Sequence, residues 1–343
     1  MGKTALILGG GAPNATLMSG ALLAFDEAGV QFDVISTAGA GALIGLLYLA
    51  PAKGSPADAL RATTRMGVAD AIYDHFPVNF KVFQKSGALA DLYRSMLQMN
   101  PLAQSLTSEH GSSAVEKLFA DWMQLLFTSA CPSDLSPRSL GLCANVPFLE
   151  TSIDFAKLPS VKASFYINAY NITDRQMENF GKHEITADHC RAAFAFPFLY
   201  PPFPLKNKNG EEKFYYEGAA HDCLNYKALL EHEPEVTRIV VFDVLGAEAL
   251  MRKPRDLYDA WLLSIIVPLV EIARDDTKLF KAIYNKNPKR DLFEVPFDIP
   301  ASQLPESLDW SRSNLETLFT VGYESARRYL QKDGLPLLKP CKR

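Results

Sequence analysis

Apolar positions change period along the chain in a way that alternates strands with helices. The run from Ala5 to Leu8 is β-type and flows into Gly9, Gly10 and Gly11, after which Leu17, Ala21, Leu22 and Phe25 recur at helical spacing. A second run from Phe32 into Ser36 meets a turn rich in glycine and alanine, then another apolar helix that reaches Ala50. Strand, glycine turn, helix, strand, sharp turn, helix predicts a βαβα unit. Its parallel strands need a right-handed crossover, and its ligands gather at their carboxyl ends. The two glycine-bearing turns then lie side by side. Without Cβ atoms, Gly9, Gly10 and Gly11 let a reacting group approach backbone N–H donors at the positive end of the next helix.

Pro51 to Pro56 breaks the pattern, and Ala57 to Met66 reads as a further helix. Residues 69–147 are dense in Phe, Leu, Met and Tyr at mixed spacing, with a helical stretch from Ala114 to Phe127. They predict an inserted helical cap, whose soft side chains suit either an irregular apolar ligand or ordinary packing between helices. The α/β pattern returns at Ser164 to Ile172. A helix after Ile185 must end near Phe196, because Pro197 disfavours helical geometry in the residue before it. Arg238 to Gly246 reads as a buried parallel strand, and the remainder as helical, including Tyr258 to Arg274 and Asn314 to Leu330. The expected organisation is one α/β domain over 1–343, with the cap at 69–147 and a C-terminal helical part at 247–343.

Composition narrows the partners. Charged residues are 22% and hydrophobic ones 48%, with a net charge of −4, so nothing advertises nucleic acid. Five cysteines, an odd number without C-x-x-C spacing, argue against a disulfide framework and a zinc site. With scattered histidines this predicts a cytoplasmic, reducing setting, no metal and no cofactor. The glycine-broken start is not a signal peptide. Ala38 to Ala50 and Trp261 to Val270 are both short of the roughly 18 to 20 residues that cross a bilayer. Peripheral membrane contact, for instance through Leu262 to Leu269, and the oligomeric state stay open.

These motifs resemble the patatin-like phospholipases, serine lipid acyl hydrolases whose first strand ends in a Gly-Gly-Gly oxyanion turn and whose second ends in a G-x-S-x-G nucleophile elbow. Ile35 to Leu43 reads ISTAGAGAL. Against that elbow, Thr37 holds the first glycine, Gly39 the nucleophile and Gly41 the last glycine, so the serine is absent. Ser36 lies at the end of the strand rather than at the apex. Phe214 to Tyr226 (FYYEGAAHDCLNY) falls on the family's Asp-Gly-Gly segment, with Glu217 at the dyad aspartate, Asp222 at a second acidic position, Cys223 at an asparagine and Asn225 at a proline. Asn171 and Thr173, then Ala192, Ala195, Pro197, Pro201 and Pro202, match further positions. The closing TVGYESARRYL resembles the family's last helix.

The resemblance implies a mainly parallel, doubly wound sheet flanked by helices, with an acyl-lipid or ester pocket. Glycine at position 39 keeps the turn and removes the hydroxyl that an elbow exists to present. Two functions follow. One is a lipid-binding pseudoenzyme of lipid metabolism. The other is an acyl-ester hydrolase in which Glu217 acts as general base on a water, aimed at a carbonyl polarised by the glycine turn. A third reading is an interaction protein that docks a partner on its former active-site face. A dinucleotide turn fits less well, since Asn14 replaces the third glycine and no acidic residue ends the second strand. His221 and Cys223, two apart, could share one face as an auxiliary pair, with nothing else specifying a nucleophile.

Overall fold

The computed structural model describes residues 2–108, 113–245, 253–286, 289–300 and 309–334. In chain order the elements are β1 (Lys3–Leu8), α1 (Ala15–Glu27), β2 (Val34–Thr37), α2 (Ala40–Leu49), α3 (Pro56–Ala62), α4 (Asp70–Tyr73), α5 (Ala88–Met99), α6 (Pro101–Thr107), α7 (Ala114–Ala130), α8 (Leu149–Ser152), β3 (Ser164–Asn171), β4 (Gln176–Gly181), α9 (Ala187–Ala193), β5 (Phe203–Lys206), β6 (Glu212–Glu217), α10 (Tyr226–His232), β7 (Val236–Phe242), α11 (Leu257–Leu279), β8 (Asp291–Glu294) and α12 (Arg312–Tyr329). This is a mixed α/β fold with a central, mostly parallel sheet between helices.

The sheet runs β5-β6-β3-β2-β1-β7-β8, with β4 added beside β3. β1 is an interior strand, parallel to β2 and to β7, and its residues from Ala5 to Leu8 are fully buried. A strand covered on both faces needs no polar alternation, which is why it reads as an unbroken apolar run. β3 pairs with β2 through its first half and with β6 through its second, while β4 takes its other edge. That split brings the end of β6 to the end of β2.

Helix α1 is apolar all round because it lies between the sheet and α12. Gly322 makes this close approach possible, since a Cβ there would press on the backbone of Leu17; Gly20 meets the backbone of Phe319 and Tyr323 in the same way.

Two local expectations change. The helix expected to end near Phe196 stops at Ala193, with Phe194 as its cap. The C-terminal part is not wholly helical: β8 pairs with β7, from Arg238 opposite Asp291 to Val241 opposite Glu294. Four residues with a charge at each end are too few to declare a period. Gly246 and Cys341 lie outside the described residues.

Candidate functional site

Parallel pairing sets Leu8 opposite Thr37, so the turns after β1 and β2 emerge at one sheet end. The Ala38 N–H donates to the Leu8 carbonyl at 3.1 Å, and Gly41 packs its bare Cα against the Leu8 and Gly9 carbonyls. Thr37 is a structural residue, its hydroxyl donating to the Tyr166 carbonyl at 2.8 Å. Ser36 is also turned away, donating to the Asn225 carbonyl at 2.8 Å.

Gly39 caps the start of α2 at φ +47° and ψ −129°. That conformation is strained for any residue with a side chain. The space a side chain would take is filled as well. A Cβ at Gly39 would fall on a carboxylate oxygen of Glu217 and lie 2.9 Å from the Ala219 Cβ.

Glu217 ends β6 with Ala169 as its register partner, and its N–H donates to the Ala195 carbonyl at 3.0 Å. Burial pushes its carboxyl up to about 8, and among the described residues no cation or donor offsets the desolvation. Burial and the charges of Cys143 and Glu217 raise the neighbouring Tyr200 phenol too.

The three turn glycines are not equivalent. Gly9 N–H donates to the Phe242 carbonyl and Gly10 N–H to the Cys223 carbonyl, both at 3.2 Å. These two amides close the fold rather than waiting for a ligand, which corrects the expectation that all three present oxyanion donors. Among the described residues, Gly11 N–H has no backbone acceptor, and Gly11 faces the cavity.

The segment after Glu217 is a packed connector. Asp222 accepts from the Asn225 N–H at 2.8 Å, and Asn225, left-handed at φ +40°, donates its side-chain amide to the Thr37 carbonyl at 3.1 Å. His221 and Cys223 are drawn apart: the His221 ring is exposed on Tyr170 at 3.9 Å, whereas Cys223 is buried under the glycine turn, its thiol pushed far up by desolvation. They form no catalytic pair. Asp276 of α11 is a member that sequence reasoning missed. Its carboxylate accepts from the Cys223 and Leu224 N–H groups at 2.8 and 3.1 Å, and burial with the nearby Asp222 lifts it to about 7. No local signal marks it, because its partners lie more than fifty residues away.

A cavity of about 430 Å³ opens beside these groups. Gly11, Ala12, Ala40 and Glu217 form one part of its wall; Tyr73, Val82, Phe83 and Val146 line it from the 69–147 segment, and Leu262, Ile265, Ile266 and Leu269 from α11. The stretch Leu262 to Leu269 therefore serves as cavity wall. Glu217 is the one acidic lining residue, and no Lys, Arg or His joins it among the described residues. Nor does any group of three or more His, Cys, Asp or Glu among them suit a metal ion.

Gly11 of the glycine turn, Ala40 directly after Gly39, and Glu217 thus line one apolar cavity. The model of the patatin-like phospholipases matches residues 6–230. The chain belongs to the patatin-like phospholipase family. Members act on lipid or acyl-ester substrates, and the matched span of this patatin-like chain runs from β1 into α10. The crystal structure of VipD from Legionella pneumophila aligns with a TM-score of 0.38 and 14% identity, covering 96% of this chain and 67% of that one. No curated protein matches the chain. Among the described residues, no helix is long and apolar enough to cross a membrane.

Proposed function

We propose that this patatin-like protein binds a lipid or acyl ester and lacks the family's nucleophile, making it a lipid-binding pseudoenzyme. One observation supports the reading: the Glu217 carboxylate fills the space that a Cβ would need at Gly39, the position to which the motif alignment assigns the elbow serine. A site that had lost only a hydroxyl would keep room for it. The apolar cavity supports retained acyl binding, since its dimensions fall in the range of small-ligand pockets.

A second reading has its own support. A carboxyl raised to about 8, in the wall of the same cavity as Gly11, could act as general base on a water while the Gly11 N–H, without a backbone acceptor among the described residues, polarises the acyl carbonyl. Direct attack by water forgoes a covalent intermediate, so turnover would be slow. Among the described residues Cys131, Cys143, Cys190 and Cys223 are free, in keeping with the reducing, cytoplasmic setting we infer.

Mass spectrometry of lipid extracted from the purified protein, run beside hydrolysis of an acyl-ester panel, tests the proposal. Bound lipid without turnover is the expected result. Turnover that disappears in Glu217→Gln would replace it with the second reading. Neither lipid nor turnover, with a stable protein complex in pull-down, would favour the partner-docking reading.

A further inference from the structure

The cavity mouth is framed by apolar side chains that face water. Val78, Leu142 and Trp261 line the cavity and are also 57%, 37% and 38% exposed. Phe198, 57% exposed, lies edge-on to Trp261 with ring centroids 6.1 Å apart, and its carbonyl accepts from the Leu142 N–H at 3.0 Å. One helical turn before Trp261, Leu257 is 88% exposed. Exposed apolar residues are ordinary singly; five large ones on or next to the segments that line one pocket, with Leu142, Phe198 and Trp261 in contact, are not.

Phe198 adds a second observation. It holds φ +74°, a conformation rare for a bulky residue, and the backbone bonds Leu142 N–H to Phe198 and Cys143 N–H to Leu199 keep it there. Strain of this kind persists where the surroundings impose it, and here the result is a phenyl ring held out in solvent against an indole. Exposed large apolar residues elsewhere are concentrated in the 69–147 segment, which also forms the cavity wall.

We propose that the rim of Val78, Leu142, Phe198, Leu257 and Trp261 docks on the surface of a phospholipid bilayer, so that the cavity opens directly onto the acyl layer. Aromatic rings and leucines of this kind sit at the boundary between headgroups and chains. The inference rests on the lipid-binding reading, because the cavity supplies the reason for the rim to meet lipid rather than a second copy of the chain.

Co-sedimentation with phosphatidylcholine vesicles, with a monomeric dansyl fatty acid as a separate cavity probe, tests it. The variant is Phe198→Asn/Leu257→Glu. Asparagine tolerates positive φ, and glutamate suits the first turn of α11, so the fold should be kept. Neither residue lines the cavity. The wild type should sediment with vesicles, the variant should partition less by about tenfold or more, and both should bind the probe alike. A variant that sediments like wild type overturns the rim. So does a wild type that binds probe but ignores vesicles, while the cavity reading then stands. Vesicle binding without probe binding keeps the rim and overturns the cavity reading, and loss of both overturns both. A concentration-dependent dimer abolished by the variant, with no vesicle binding, would assign the rim to a second copy.

Discussion

The carboxylate of Glu217 occupies the position that a Cβ on Gly39 would take. The two residues, 178 positions apart in sequence, therefore exclude one another's ordinary alternatives. Gly39→Ser alone should displace Glu217 and strain a positive φ, lowering stability by about 2–4 kcal/mol. Shortening the acid relieves the clash, so Gly39→Ser/Glu217→Asp should regain part of that loss. If the site is a disarmed hydrolase, ester hydrolysis should appear in the double variant and be weaker or absent in the serine variant. Urea unfolding and an acyl-ester assay on the three proteins check both points.

Stability should decline toward alkaline pH. The folded protein holds the Glu217 proton up to about 8, whereas the unfolded chain releases it in the usual carboxyl range, near 4.5. The stability of the neutral buried acid is complete below that lower value and is lost as pH rises through 8. At about 1.4 kcal/mol per pKa unit the loss is of order several kcal/mol. Asp276, raised to about 7, adds a slope of the same sign. Glu217→Gln should flatten the dependence without abolishing it, read from urea midpoints between about pH 5 and 9.

The same group fixes the pH profile of any catalysis. As a general base Glu217 acts only when ionised, so hydrolysis by the wild type should climb through pH 8 rather than plateau near neutrality. Glu217→Gln should remove it. A bell centred near pH 6 would exclude this carboxylate as the base.

Asp276 ties α11, a cavity wall, to the connector that follows Glu217. Asp276→Ala leaves two partly buried N–H groups without their acceptor, at about 2–4 kcal/mol. Asp276→Asn keeps a carbonyl acceptor and should retain most of the stability. Dansyl fatty acid affinity should follow the same order, because a loosened α11 no longer holds Ile265 and Leu269 in place.

Gly322 tests the packing beneath the site. A methyl group there meets the Leu17 backbone, which cannot yield without moving α1 and the glycine turn that precedes it. Gly322→Ala should cost about 1–3 kcal/mol by overpacking. Thermal unfolding of this variant beside Gly29→Ala, where positive φ strains the backbone but no atom lies within reach, separates crowding from backbone strain.

Local order was legible in the sequence. The apolar run of β1, the glycine turn and the period of α1 depend on neighbours a few residues apart, and the motif around Glu217 stands in one contiguous stretch. From these the patatin-like family and its mainly parallel sheet could be read. The use of each group was decided only by tertiary contacts. Gly9 and Gly10 look like free donors until Phe242 and Cys223 close on them, and Glu217 looks like an ordinary acid until desolvation at the cavity wall raises its carboxyl. The strand β8 acquires its identity from β7 rather than from any period of its own. Hydrogen bonding and desolvation depend on which atoms meet in space, and periodicity along a chain specifies which face is buried but not against what.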